Sequence, residues 1–178
     1  MKLYAFLLFS GLLYGGNLFS QSFQWVEDTA KGYEIPLAIG SYEELEKGNF
    51  YPEMKDYYDH YSVNTEYLEK LDHLISKLDP NSIRMDVVFG AWCGDSKEHV
   101  PHFYKIIARS SYLHQEQVTL MACDRMKKAG DVDISGLNIE FVPTFIFYAD
   151  DKEIGRIVET PQMSLEEDIL RIWESFLR

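Results

Sequence analysis

The sequence predicts an α/β domain, a central mixed sheet flanked by helices, with an N-terminal helical extension. Three observations lead there. Residues 83–107 read as strand, turn and helix in succession, three more strand-length runs follow before residue 160, and the chain closes on an amphipathic segment at residues 164–178. Strand runs alternating with helical periods point to a layered α/β sheet. With 178 residues, 46% of them hydrophobic, the chain suffices for one packed domain and is short for two large ones.

In chain order, residues 23–40 contain Gly32, Pro36 and Gly40 without a sustained period and read as an irregular lead-in. Ser41 and Glu44 then fit a capping box, with Gly48 as the stop of a short helix. The run "FYPEMKDYYDHY" at 50–61 is dense in aromatics. These rings read as packing for a helical layer, with a peptide-binding surface as the alternative. In the next helix Leu68, Leu71, Leu74, Ile75 and Leu78 recur at helical spacing before Pro80.

From Ile83 the character changes. "IRMDVVF" is a β-branched strand ending at Gly90, and Val100, Phe103, Ile106 and Ile107 mark the helix after it. "QVTLMA" is a second strand and residues 124–139 are polar with one weak helical turn. "FVPTFIFY" and "EIGRIVE" are strands joined through the turn "ADDK". The last helix opens on a Ser164/Glu167 capping box and lines Leu165, Ile169, Ile172, Trp173 and Phe176 along one face.

Residues 1–20 carry Lys2, an apolar run to about Tyr14, then small and polar residues ending at Ser20. This is the order of a secretory signal, and the run is shorter than the ~20 residues a spanning helix needs. The mature chain is expected to begin near Gln21, outside the cytoplasm (periplasmic or extracellular), with no integral membrane insertion; an uncleaved anchor is the alternative reading. The formal net charge is −12, and no Lys/Arg cluster stands out against the acidic background. Such a field repels phosphate backbones, so nucleic acid is excluded as a partner.

An exported chain meets oxidants, which gives its two cysteines, Cys93 and Cys123, a choice between free thiols and a bridge. Cys93 lies in Trp92-Cys93-Gly94-Asp95-Ser96-Lys97 at the strand-to-helix turn. Pro101 follows in the helix, and Val142-Pro143-Thr144 enters a later strand. In this order and frame the motifs over residues 83–178 resemble the thioredoxin superfamily. The organisation expected is therefore a signal peptide at 1–20, a helical extension at 21–82 packed on the core, and a thioredoxin-like domain at 83–178.

The resemblance implies thiol–disulfide exchange, with Cys93 as nucleophile at a helix N-terminus, where unpaired N–H groups and the dipole favour a thiolate. It implies a cis bond before Pro143 and a substrate frame of Trp92, Gly94, Asp95, Val142 and Pro143. Pro101 is expected to kink the helix it sits in. Ser96 stands where dithiol members keep a resolving cysteine; a hydroxyl can bond a thiolate and cannot displace a mixed disulfide. The site is monothiol, a CxxS motif, with Ser96 expected to steady Cys93. Val87 stands where many thioredoxins hold a buried carboxylate, and Asp86 is expected on the opposite face of the strand.

Asp95 sets a negative charge beside Cys93, which Lys97, His99 and His102 are expected to offset in part. Cys123 ends its strand, and the resemblance implies that this end lies on the sheet edge that also holds Cys93. It is read as a buried apolar residue, or else as a bridging or resolving thiol. His99 and His102, at i, i+3, offer two metal-ligating nitrogens without a further ligand cluster nearby, and they are read as surface or outer-sphere residues. No metal and no cofactor is assigned. The partners expected are disulfide-containing proteins or small thiols, which would finish the reaction by isomerisation or reduction. A weakly active binding or scaffolding module on the same fold is the alternative.

Overall fold

The computed structural model describes residues 22–178; the secretory signal expected at 1–20 lies outside them. Six strands form one sheet in the order β1-β2-β4-β3-β5-β6. They are β1 Gln24–Asp28, β2 Tyr33–Gly40, β3 Ile83–Phe89, β4 Val118–Ala122, β5 Thr144–Ala149 and β6 Lys152–Val158. The helices are α1 Tyr51–His60, α2 Thr65–Ile75, α3 Gly94–Arg109 and α4 Leu165–Phe176. Only β3 and β4 run parallel, joined across α3; every other pairing is antiparallel. From β3 onward the succession βαβββα and this strand order make a thioredoxin-like α/β fold.

The first residues of that fold differ from the expectation. Residues 23–40, read as an irregular lead-in to a helical extension, form the β1–β2 hairpin, and Ala38–Gly40 pair with Leu120–Ala122 of β4. The extension is thus part strand and enters the central sheet. Pro36 hid this, because a proline gives no ladder N–H. It is tolerated here because Tyr33–Leu37 pair with β1 alone, and β2 reaches β4 only after Ala38 turns the backbone at φ 72°.

Strand parity places the core. Ile83, Met85, Val87 and Phe89 of β3 face a cluster with Phe145 and Phe147 of β5, Met54 of α1, Leu71 and Ile75 of α2, Phe103 and Ile106 of α3, and Trp173 of α4. All four helices therefore cover one face. Tyr51, Tyr58, Tyr61 and Tyr67 pack against this cluster, as the packing reading of the aromatic segment requires. On the opposite face Val88, Met121 and Cys123 meet Ala129, Ile134 and Val142 from the connection between β4 and β5. Asp86 points the same way as Val88 and accepts a hydrogen bond from Arg84, whose guanidinium lies over the Tyr148 ring.

Two local devices fix the ends of elements. The β5–β6 hairpin turns on Asp150 and Asp151 at φ 49° and 60°, the two-residue turn whose twist matches that of its strands. Ser164 caps α4 by accepting from Glu167 N–H. One turn away, Glu166 is buried and accepts from the Tyr61 hydroxyl and the Asn64 N–H, both at 2.9 Å. That carboxylate ties the segment between α1 and α2 to the last helix.

Candidate functional site

The site is assembled where β3 ends. Cys93 is the N-cap of α3, extended at φ −92° and ψ 132°, and its N–H donates to the Gly90 carbonyl. The helix begins at Gly94 and runs unbroken through Pro101 to Arg109. Gly90 allows the close approach of the indole: a Cβ there would stand 2.6 Å from the Trp92 ring. Trp92 Nε1–H donates to the Cys123 carbonyl at 3.0 Å, pinning the ring between the two cysteines.

The Val142–Pro143 bond is cis. Cys93 Sγ is half-buried and donates to the Val142 carbonyl at 3.2 Å. Pro143 O accepts from Glu159 N–H at 2.7 Å, and Thr144 Oγ1 donates to Phe141 O at 2.7 Å, so the segment facing the sulfur is held on both sides. Gly94 is exposed with open space above it. Trp92, Cys93, Asp95, Val142 and Pro143 are thereby brought to one end of the sheet, with Asp95 Oδ2 4.0 Å from the sulfur.

Three expected roles differ in the structure. Ser96 is fully buried, and its oxygen accepts the Gly90 N–H at 3.2 Å; it is hydrogen-bonded to that backbone, not to Cys93. The serine braces the turn that carries the cysteine. Lys97 does not offset Asp95: it is buried and forms an ion pair with Glu53 of α1. His99 and His102 do not offset it either, because burial lowers the pKa of both, that of His102 to about 4, and keeps them neutral at physiological pH.

The cations near the site come from a stretch that sequence reasoning passed over. Arg125 and Lys127 lie over the Trp92 ring, 4.8 and 5.6 Å from it. Arg125 is anchored by Asp28 at the end of β1, so the hairpin hidden by Pro36 positions it. The signal was present and corrects the reading that no Lys/Arg cluster stands out: Arg125, Lys127 and Lys128 make a short basic cluster in an acidic chain. Beside them Met126 is 74% exposed and Phe141 51% exposed, which gives the rim of the site an apolar component.

Cys123 and Cys93 are both free thiols. Cys123 is fully buried, and burial pushes its pKa up to about 12. A buried, protonated thiol is a poor nucleophile. Alkylation of the native protein near pH 8 is therefore expected to label Cys93 alone, with Cys123 labelled only in denaturant; intact-mass spectrometry that found both labelled at equal rates would contradict this placement.

No family model and no curated protein matches the sequence. Among solved structures, a protein of unknown function from Pseudomonas aeruginosa is 15% identical with a TM-score of 0.49, covering 72% of this chain and 84% of that one. Thioredoxin f2 from Chlamydomonas reinhardtii is 18% identical with a TM-score of 0.35, covering 49% of this chain and 74% of its own. Thioredoxin O1 from Arabidopsis thaliana is 22% identical with a TM-score of 0.39, covering 57% and 87%. The thioredoxin-like architecture stands on this chain's own strand order.

Proposed function

We propose that this chain is an exported thiol–disulfide exchange protein working through one nucleophile, Cys93. The observation that carries the reading is the half-buried Cys93 sulfur at the N-cap of α3, 3.2 Å from the carbonyl before Pro143. The thiolate is the form of a cysteine that attacks a disulfide. Ionisation removes the proton that holds the Val142 carbonyl and frees that oxygen to accept an N–H from a substrate strand.

The thiolate attacks one sulfur of a substrate disulfide, the S–S bond breaks, and the departing substrate sulfur leaves as thiolate and takes up a proton. A second thiolate, from the substrate or from a small thiol, then attacks the mixed disulfide and restores Cys93. The first route isomerises the substrate; the second leaves the substrate sulfur joined to the small thiol, and a further equivalent of that thiol releases it as its own disulfide forms, which completes the reduction. Trp92, Gly94, Val142 and Pro143 frame the bound chain, Arg125 and Lys127 favour acidic groups beside the disulfide, and no cofactor takes part.

The test is adduct formation. Native protein incubated with a disulfide-linked peptide is expected to carry peptide mass on Cys93, and Cys93→Ala is expected to carry none and to lose the dithiothreitol-driven reduction of that peptide. Native protein that formed no adduct with peptide or glutathione disulfide would leave the binding-module reading in its place. Fractionation of the source cell with N-terminal sequencing tests export separately; an intact Met1 on cytosolic protein would refute it.

A further inference from the structure

The group Glu98, His99 and His102 on α3 is unused by the exchange chemistry. Their ligand-capable side-chain atoms all lie within 4.8 Å of one another. The spacing makes this possible: Glu98 and His102 stand at i, i+4 and His99 and His102 at i, i+3, so the three share one side of the helix. We propose that Glu98, His99 and His102 form a binding site for a divalent cation of the zinc type.

An independent observation supports a ligand there. His99 Nδ1 is buried and has no hydrogen-bond partner among the described residues. Folded proteins leave few buried polar atoms unpaired, and each calls for a reason; a cation bound at His99 Nδ1 and shared with the two neighbouring donors supplies one. The His102 ring is fixed by its neighbours. Its ring stacks on Tyr61 with centroids 3.9 Å apart and meets Tyr57 edge-on at 5.9 Å.

The donor set selects the ion. Two imidazole nitrogens and one carboxylate oxygen suit zinc and its neighbours, and three protein ligands leave a fourth position to water. Bonds of about 2.0–2.1 Å place tetrahedral ligands roughly 3.3 Å apart, so the group has to close from its present spacing. Glu98 is only partly buried and its side chain can swing to do so. Both histidines are partly exposed, which leaves a path for the ion.

Zn2+ titration calorimetry, with Co2+ absorption as a second readout, tests the site on the native protein and on Cys93→Ala, which removes the exposed thiol as a competing ligand. One equivalent is expected to bind in both, with no cobalt–thiolate charge-transfer band. His102→Gln and His99→Gln should each weaken binding by more than the roughly 10–100-fold that loss of an outer-sphere partner costs, and Glu98→Gln, on the partly exposed side, should weaken it without disturbing the fold. Loss of binding in Cys93→Ala, unchanged binding in Glu98→Gln and His102→Gln together, or no stoichiometric uptake by the native protein would each overturn the assignment. Because adduct formation at Cys93 is read without metal, the exchange function and this site fail independently.

Discussion

The Ser96→Cys variant is expected to turn a long-lived mixed disulfide into a short-lived one. Residues i and i+3 at the start of a helix bring their Cα atoms within the ~4.4–6.8 Å that a disulfide spans. A thiol at position 96 can thus reach Cys93, whereas the native hydroxyl cannot displace a sulfur. Adduct lifetime should fall, and dithiothreitol-coupled reduction of a disulfide peptide should rise, by about an order of magnitude or more. The exchange has a structural cost. Ser96 Oγ accepts the buried Gly90 N–H at 3.2 Å, and sulfur is the weaker acceptor, so the reduced variant should be slightly less stable. Cys123→Ala should leave both kinetic readouts unchanged, because the thiol at 123 is buried and protonated. If Cys123→Ala instead lengthened the adducts, the native protein would have its own resolving thiol and the role given to the serine would be wrong.

Glu166→Ala is expected to cost about 3 kcal/mol of stability. Glu166 is 1% exposed and accepts from Tyr61 and Asn64 at 2.9 Å each. Hydrogen bonds to a charged acceptor contribute about 1.5–3 kcal/mol, and orphaned buried donors add a desolvation penalty. The carboxylate also sits in the first turn of α4, where the helix dipole favours negative charge. Glu166→Gln keeps an acceptor oxygen and should cost roughly half as much. For a domain of this size the alanine variant should melt about 6–12 °C lower. Denaturant unfolding that gave less than about 1 kcal/mol would mean that the carboxylate does not hold the extension in place.

The limits of the sequence are instructive residue by residue. The Ser164 cap and the opposite facing of Val87 and Asp86 on β3 were legible because each depends on neighbours within one turn or one strand, whereas the place of Cys93 at the start of α3 followed from the resemblance. Asn64, which caps α2 by accepting from Glu66 and Tyr67, is an equally local device that the reading passed over. The β1–β2 hairpin was not legible, because Pro36 and Gly40 interrupt its period and its partner in β4 lies some eighty residues on. The charges followed the same divide. Lys97 reads as a cation beside Cys93 along the chain, yet folding pairs it with Glu53, forty-four residues away.

The sequence by itself determined the α/β class, the helix that presents Cys93 and the absence of a second thiol at position 96, since periodicity, capping and residue identity are properties of short segments. Tertiary structure alone decided which groups surround that sulfur. It brought the Val142 carbonyl to 3.2 Å, set Arg125 and Lys127 over Trp92, turned Ser96 toward Gly90 and buried Cys123. These outcomes depend on strand register and on competition among distant partners for each buried polar atom. Neither is encoded in the spacing of residues along the chain.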